Sequence, residues 1–361
     1  MTVQRSILVT GGAGFVGSNL AVLFKTKHPE VKVVALDNLK RRGAELNLLR
    51  LAKAGVRFVH GDVRNREDLD LKADGFIPDT IIECSAEPSV TAGYNTSPEY
   101  LINTNLGGTV NCLELARATG AQMIFLSTSR VYPIERLNAL AFTEDVSRFK
   151  LSERQSVAGA CANGVSELFP MDGPRSMYGA TKLSSEHLIE EYRAAYGVQS
   201  VVNRCGVIAG PWQMGKVDQG VFVHWMASHY YKRDLAYFGY NGSGKQVRDL
   251  LHIEDLYSLV EWQVEHLDRV NGAVFNVGGG TECSLSLAET TRLCTELTGN
   301  KVSVRPIEEE SVADVRIYIS DTSVVRTRTG WAPKKTSRDI LRDIFTWINK
   351  NDAALRQVLA P

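Results

Sequence analysis

Tyr178 and Lys182 are the two residues of the sequence whose types and spacing most directly suggest chemistry. They stand four positions apart, so a helix would place both side chains on one face. A phenol has a pKa of about 10 and is a poor base at neutral pH, but a neighbouring ammonium favours the ionised phenolate. The pair therefore predicts a tyrosine that exchanges a proton with a substrate. The same spacing is also found in ordinary surface contacts on helices.

A strand that ends in hydroxyl residues strengthens this prediction. An apolar, β-rich run ends in the consecutive side chains Ser127, Thr128 and Ser129. Such a strand end can supply a second hydrogen-bond donor to the oxygen on which the tyrosine acts; its alternative role is to cap the strand. Because both elements occur on one chain, we interpret them as parts of one proton-transfer site.

A glycine loop is the element that would position a cofactor beside these residues. Gly11, Gly14 and Gly17 follow a short apolar run and open a helical pattern. The turn needs residues without Cβ, and the helix N-terminus offers N–H groups and a partial positive charge to a pyrophosphate. Asp37 stands 20 positions after Gly17, where a carboxylate can hydrogen-bond the ribose hydroxyls. Together these features predict a bound nicotinamide dinucleotide.

Asp37 also bears on which dinucleotide binds. Its negative charge would repel a 2′-phosphate, which favours NAD over NADP. Lys40, Arg41 and Arg42 follow closely, and basic residues near that ribose can accept a phosphate. Because such basic runs more often lie in solvated loops, we expect NAD. Asp62, after the third predicted strand, is expected near the adenine.

The composition excludes several other classes of protein. The 361 residues are 44% hydrophobic, and 41 basic residues balance 41 acidic ones, so we expect no nucleic-acid partner. Six cysteines without a C-x-x-C pair argue against a disulfide framework and a zinc cluster, so we predict no metal site and a reducing, cytoplasmic location. No apolar run approaches the roughly 20 residues that span a bilayer, so no membrane segment is expected.

Strand-like apolar runs alternate with helical patterns through the first half of the chain. Strands are expected at 6–10, 31–36, 56–60, 80–83, 123–127 and 200–203, and helices at positions that include 108–119 and 182–196. The alternation predicts the α/β class, a doubly wound parallel sheet (Rossmann) with a smaller C-terminal substrate-binding lobe. We expect the dinucleotide-binding domain over 1–205, with a return segment about 245–280, and the lobe over 206–244 and 281–361.

Together, these motifs resemble those of the extended short-chain dehydrogenase/reductases, in the NAD-dependent nucleotide-sugar epimerase/dehydratase family. The resemblance covers nearly the whole chain, including the late segment 248–252. It implies that Thr128 assists Tyr178 and that Lys182 also holds the cofactor. It further implies that Asn105 supports the cofactor. Additional cofactor contacts are expected from residues beside these motifs, namely Phe15, Val16, Asn38, Asp62 and Val63.

The resemblance also bears on the reaction. The family's 4,6-dehydratases place an Asp and a Glu directly after the strand-end threonine, whereas this chain has Ser129 and Arg130, which disfavours dehydration. Segments 37–44, 217–220, 244–249 and 284–287 are most similar to members that invert C2 of a CDP-linked deoxyhexose. They imply an epimerase that oxidises its substrate to a ketone and returns hydride to the other face. The alternatives are a 4-epimerase or other oxidoreductase acting on a UDP-sugar, and a non-catalytic NAD-sensing regulator.

A nucleotide-sugar substrate would need its own contacts, which we expect from Arg248, Arg316, Gln219 and Glu87. The two arginines are candidate diphosphate clamps, because a guanidinium offers paired donors to phosphate oxygens. Family members usually carry a histidine at the end of the fourth strand, where this chain has Glu83. The role of that carboxylate stays open, since a buried carboxylate needs a partner.

Two further expectations concern the surface of the protein. The segment 134–174 lengthens the separation of Thr128 from Tyr178 beyond what is usual in the family, and it is either a lid over the site or a surface elaboration. Related folds often dimerise through two helices per subunit, which correspond here to 108–119 and 182–196. The resemblance therefore implies a homodimer.

Overall fold

A computed structural model describes residues 5–215, 219–309, 311 and 313–359. Val217 and Asp218, which belong to one of the segments that indicated C2 epimerisation, lie outside the described residues. The chain divides into two compact units. The first comprises Met1–Thr128, Met177–Asn203 and Tyr257–Val274, and the second comprises Ser129–Ser176, Arg204–Leu256 and Phe275–Pro361.

The elements follow one another in this order. The strands are β1 Ser6–Thr10, β2 Lys32–Asp37, β3 Arg57–His60, β4 Thr80–Glu83, β5 Gln122–Thr128, β6 Phe142–Glu144, β7 Phe149–Leu151, β8 Ala160–Cys161, β9 Gly164–Val165, β10 Ser200–Cys205, β11 Val207–Ala209, β12 Leu235–Phe238, β13 Val247–His252, β14 Val274–Val277, β15 Ser284–Ser286, β16 Val304–Ile307 and β17 Ile317–Tyr318. The α-helices are α1 Phe15–Lys27, α2 Leu48–Ala54, α3 Glu99–Ile102, α4 Gly108–Thr119, α5 Ile134–Asn138, α6 Met177–Tyr196, α7 Val221–Tyr230, α8 Ile253–Val270, α9 Leu287–Thr298, α10 Ser323–Thr329, α11 Ser337–Lys350 and α12 Asp352–Leu359.

The central sheet confirms the predicted doubly wound α/β fold. Within the described residues it has seven strands in the order β14-β10-β5-β4-β1-β2-β3. The neighbouring pairs from β3 to β5 are parallel. From β1 the chain adds β2 and β3 on one side of the sheet, and from β4 it adds β5, β10 and β14 on the other side. The direction in which strands are added therefore reverses between β1 and β4. In open parallel sheets, ligands bind at the carboxyl ends of the strands on either side of such a reversal.

Helices α4 and α6 cover one face of this sheet and position the predicted catalytic residues. Strand β1 is a continuous apolar run because helices on both faces bury a parallel sheet. One core cluster joins Leu8 of β1, Ile81 of β4 and Phe125 of β5 to Leu113 of α4 and Ile189 of α6. The helix that carries Tyr178 is therefore packed against the strand that ends at Thr128.

In the second unit, the segment 134–174 is packed against strands of the same unit. It forms two short antiparallel hairpins, β6-β7 and β8-β9. The Phe149 N–H donates to the Lys245 carbonyl at 3.0 Å, and the Val165 N–H donates to the Ile319 carbonyl at 2.8 Å. These backbone bonds attach the segment to chain that flanks β13 and β17. The segment 134–174 is thus packed as part of the second unit.

None of the helices in the described part of the chain combines the length and the apolar character that crossing a membrane requires.

Candidate active site

The turn between β1 and α1 has a shape that depends on its glycines. Gly11 has φ +62°, and a Cβ there would lie 2.8 Å from the carbonyl carbon of Cys84. A Cβ on Gly17 would lie 2.2 Å from the Gly11 oxygen. The Gly14 N–H donates to that same oxygen at 3.0 Å. Side chains would push these segments apart, so the glycines create a narrow backbone cradle of the kind that a pyrophosphate occupies.

Helix α1 begins at Phe15 and Val16, with Gly14 at its N-cap. A glycine there brings no side chain to the N–H groups of the first turn, which leaves room for an anion. Asp37, the last residue of β2, lies beside the loop and accepts hydrogen bonds from the N–H groups of Ala13 at 3.1 Å and Leu39 at 2.8 Å. Burial raises the pKa of Asp37, while these N–H groups oppose the rise. The residues present fit a dinucleotide whose ribose hydroxyls meet this carboxylate.

Asn38, Asp62 and Val63 lie next to each other beyond Asp37. The Asn38 amide donates to Asp62 Oδ2 at 2.9 Å. The Arg64 guanidinium also donates to Asp62 and holds the pKa of that carboxyl well below its usual range. Val63 is buried, and a Cβ on Gly108 would lie 2.7 Å from its Cγ2, so this glycine lets α4 approach. These three predicted cofactor contacts thus lie together.

The basic run after Asp37 is partly engaged elsewhere. The ammonium of Lys40 lies 2.9 Å from the centre of the Tyr100 ring, and the guanidinium carbon of Arg64 lies 4.9 Å from the same ring. Such cation–π contacts direct Lys40 towards an aromatic face. This arrangement is consistent with the sequence-based preference for NAD.

Helix α6 contains both Tyr178 and Lys182, as their spacing predicts. Lys182 is only 2% exposed, and its ammonium lies 3.8 Å from the centre of the Phe125 ring. Thr128, the last residue of β5, is also buried. The Ser127 hydroxyl, one residue earlier, donates to Glu186 on α6. One cation–π contact and one hydrogen bond therefore join α6 to β5 around the predicted catalytic residues.

Asn105 makes contacts that sequence reasoning missed. It lies in a π-helical turn, Asn103–Gly107, and is fully buried. Its amide oxygen accepts from the Glu87 N–H at 2.7 Å, and its amide nitrogen donates to the Glu87 carbonyl and to Thr181 Oγ1, both at 3.2 Å. Asn105 therefore joins the loop after β4 to the residue directly before Lys182. The π-helical turn that aims its side chain has no pattern in the sequence.

Glu83 and Glu87 have different surroundings. Glu83, the last residue of β4, is buried and accepts a hydrogen bond from the Thr109 hydroxyl at 2.7 Å. Glu87 is half-buried, and its carboxylate accepts from the Ser89 N–H at 3.3 Å. Glu83 is the functional candidate that the sequence left without a role. Its signal was a charged residue at the end of an otherwise apolar strand.

The predicted substrate residues Arg248 and Arg316 lie in the second unit. Arg316 donates to the Asn138 carbonyl at 3.1 Å, and its guanidinium carbon lies 4.3 Å from the Phe142 ring centre and 5.2 Å from that of Tyr240. Arg248 lies on β13, where its Cα pairs with Tyr318 of β17. The segment 134–174, through Phe142, thus fixes the position of Arg316.

Charge is concentrated around Arg248. Burial, with a smaller contribution from the Arg130 charge, lowers the pKa of Arg248 to about 10. The Arg130 guanidinium donates to the Ala313 carbonyl at 2.9 Å. Gln219, also predicted to touch substrate, is half-buried and lies directly before Gly220, the N-cap of α7.

Comparison with known proteins identifies the family. The model of the NAD dependent epimerase/dehydratase family matches residues 7–278. The chain belongs to this family. It is therefore an NAD-dependent enzyme of the epimerase/dehydratase class, which confirms the predicted cofactor.

Individual relatives cover nearly the whole chain. CDP-paratose 2-epimerase of Salmonella typhi is 30% identical over 349 residues, covering 94% of this chain and 98% of that protein. The dTDP-glucose 4,6-dehydratase of Neisseria meningitidis serogroup B is 29% identical and covers 99% of this chain and 96% of its own length. The structure of UDP-glucuronic acid 4-epimerase from Bacillus cereus with UDP-glucuronic acid and NAD has a TM-score of 0.77 at 22% identity, covering 96% and 99%, and shows the same fold. The predicted resemblance to the nucleotide-sugar epimerase/dehydratase family is thus confirmed.

The glycine cradle leads to a first prediction. Gly17→Ala should weaken NAD binding at least about tenfold, because the added methyl would overlap the Gly11 carbonyl and displace the loop. Isothermal titration calorimetry measures the affinity, and circular dichroism checks the fold. Gly107→Ala is the matched control, since a Cβ there meets nothing within 4 Å. Unchanged NAD affinity in Gly17→Ala would show that the cradle does not hold the cofactor.

Proposed function

We propose that the chain is a nucleotide-sugar epimerase that inverts C2 of a CDP-linked deoxyhexose through a transient ketone. The observation that carries this proposal is the buried Lys182 ammonium, one helical turn from Tyr178, beside a strand that ends at Thr128 without a following acid. The likeness to CDP-paratose 2-epimerase over 94% of the chain supports the choice of substrate and carbon.

Each member of the site has a separate role in this mechanism. When bound, NAD supplies the acceptor and then the donor of the hydride that leaves and returns to the sugar carbon. Tyr178 accepts the proton of the sugar hydroxyl and gives it back to the same oxygen after the carbon has inverted. The Lys182 ammonium favours the phenolate that accepts this proton. Thr128 donates a hydrogen bond to the reacting oxygen and holds it beside Tyr178.

Dehydration would need further groups that the chain lacks at this position. Removing water from a sugar requires an acid and a base of its own, and the residues after Thr128 are Ser129 and Arg130. An arginine guanidinium offers only donors and keeps its proton in proteins. In this chain Arg130 also donates to the Ala313 carbonyl. These features favour inversion over dehydration.

The diphosphate of the substrate is assigned to Arg248, with Arg316 as a second contact. Arg130 and Arg248 disfavour each other's charge, and an anion between such groups would relieve that repulsion. The aromatic contacts of Arg316 fix its guanidinium in place, which reduces the conformational entropy lost on binding. Gln219 and Glu87 remain proposed contacts to the nucleotide sugar.

The proton-transfer role of Tyr178 gives a second prediction. Tyr178→Phe should reduce kcat by about 10² to 10⁴, because it removes one general acid–base group, while NAD affinity stays the same. Steady-state kinetics and calorimetry measure the two properties. Tyr196→Phe is the control: it removes a phenol from the same helix at an exposed position. Wild-type turnover in Tyr178→Phe would exclude Tyr178 as the base.

The substrate and the carbon are tested together in heavy water. CDP-linked and UDP-linked sugars are incubated with the enzyme, and nuclear magnetic resonance records which carbon inverts and whether it carries deuterium. We expect inversion at C2 of a CDP-linked deoxyhexose without deuterium at that carbon, because the hydrogen returns as hydride. Deuterium at the inverted carbon would contradict the redox route. Inversion only at C4 of a UDP-sugar would assign the enzyme to the alternative substrate class.

The assembly proposed for this enzyme is a homodimer formed through α4 and α6, within the cytoplasm. On these helices the Tyr192 hydroxyl donates to Glu114 at 2.8 Å, and the exposed Tyr196 ring lies 5.6 Å from the Arg117 guanidinium carbon. Aromatic and arginine side chains of this kind are enriched at protein interfaces. None of the six cysteines, all of which lie in described residues, forms a disulfide, which suits a reducing compartment. Light scattering of the purified chain should give the mass of a dimer, and a monomer mass at micromolar concentration would exclude it.

A further inference from the structure

Glu83 is a carboxyl group buried beneath the proposed catalytic helix. In the register of the central sheet, its Cα pairs with Thr10 of β1 on one side and with Phe125 of β5 on the other. Directly paired residues of neighbouring strands present their side chains to the same face of a sheet. Glu83 therefore lies in one row with the aromatic ring that the Lys182 ammonium contacts.

Side chains from the two neighbouring strands and from helices α4 and α6 face Glu83. Thr10 and Phe125 flank it on the sheet, Thr109 and Cys112 face it from α4, and Lys182 faces it from α6. Among these, Lys182 is the one cation, and Cys112 is a thiol whose pKa burial raises well above its usual value. The charge of this pocket therefore depends on Glu83 and Lys182.

The hydrogen bonds around Thr109 indicate where a proton resides. Its hydroxyl oxygen lies 2.7 Å from Glu83 Oε1 and 2.7 Å from the Asn105 carbonyl oxygen. When Glu83 is ionised, its carboxylate and the Asn105 carbonyl can both only accept a hydrogen bond, but the Thr109 hydroxyl has only one hydrogen to donate. If Glu83 is protonated, its O–H donates to Thr109, and Thr109 donates to Asn105. Neutral Glu83 satisfies both contacts at once.

Two more observations agree with a titrating carboxyl. Glu83 Oε2 has no hydrogen-bond partner among the described residues, which is costly for a buried anion. Burial raises the pKa of Glu83 to about 7, although the Lys182 charge acts in the opposite direction, as does the Thr109 hydroxyl when it donates to the ionised carboxylate. A carboxyl with such a pKa would change charge close to neutral pH.

We propose that Glu83 is a positioning residue that sets the charge around Lys182 and thereby the readiness with which Tyr178 releases its proton. Below neutral pH, Glu83 is protonated and the pocket carries the full charge of the Lys182 ammonium, which favours the phenolate. As the pH rises through neutrality, Glu83 ionises, partly cancels that charge and opposes further ionisation of Tyr178. Glu83 and Tyr178 consequently titrate as a coupled pair, over a broader pH range than a single group would.

The inference rests on the proposed function only for the role of Tyr178, and its test uses no substrate. The ultraviolet absorbance of the phenolate is titrated in the NAD-loaded protein, and the titration of the matching Tyr178→Phe protein is subtracted to isolate Tyr178. In Glu83→Gln, which preserves the shape but cannot ionise, the Tyr178 midpoint should fall by about one pH unit and sharpen to a one-proton transition. Glu83→Asp retains a carboxyl and should keep the broad titration.

Glu67→Gln is the matched control, because it makes the same chemical change at an exposed position of the first unit, outside the two helices of the proposed dimer, where solvent screens the charge. Its Tyr178 midpoint should stay within about 0.2 units of the wild type. The proposal would be overturned if Glu83→Gln titrated like the wild type, or if Glu83→Gln and the control variant shifted the Tyr178 midpoint equally. It would also be overturned if Glu83→Asp gave the same titration as Glu83→Gln. Thermal unfolding verifies that each variant folds.

An infrared spectrum gives an independent reading of Glu83 itself. The wild type at neutral pH should show the carbonyl stretch of a protonated carboxyl that Glu83→Gln lacks, and the absence of this band near and below neutral pH would overturn the proposal. If the protein inverts no CDP-linked sugar, the proposed function is wrong, but these titrations would still test the role of Glu83. The two proposals therefore fail separately.

Discussion

The contact between the Lys182 ammonium and the Phe125 ring is the interaction on which the rest of the site depends. A charge with 2% exposure is costly to bury unless neighbouring groups compensate it. The face of the aromatic ring supplies part of that compensation at 3.8 Å. This contact helps to hold α6 against β5, the strand that ends at Thr128, and Tyr178 lies one helical turn from Lys182 on α6.

Further contacts of the first unit keep α6 in this position. Asn105 joins the loop after β4 to Thr181, and Ser127 binds Glu186, so polar contacts lie on both sides of Lys182. The apolar residues beneath, such as Ile189, pack into the same core as the strands. The sheet order brings the ends of β1 and β4 to the point where the order reverses, and the glycine loop begins at the end of β1. The glycine loop and the predicted proton-transfer residues therefore belong to one packed unit.

Much of this arrangement could be predicted from the sequence because its signals are local. The strands Ser6–Thr10 and Thr80–Glu83 and the helix Gly108–Thr119 have the predicted bounds, since apolar runs and glycine turns mark their ends. The glycine loop with Asp37 predicted the cofactor, and the four-residue spacing predicted that Tyr178 and Lys182 share a helix.

The remainder depends on contacts between distant residues. The meeting of Glu83 with Thr109 and Lys182 follows from sheet register and helix packing, which no local pattern encodes. The same holds for Asn105, whose side chain is aimed by a π-helical turn. The hairpins of 134–174 are built from strands of two or three residues, which are too short for a period-two pattern.

The most direct test of the central claim is the ionisation of Tyr178 in Lys182→Met, read by the phenolate absorbance of the NAD-loaded protein after subtraction of its Tyr178→Phe counterpart. Methionine keeps an apolar side chain over Phe125 and removes the charge. The Tyr178 midpoint should rise by about one to two pH units, whereas Lys32→Met, an exposed lysine, should leave it unchanged. An unchanged midpoint in a folded Lys182→Met protein would contradict the claim that the buried ammonium prepares Tyr178 for proton transfer.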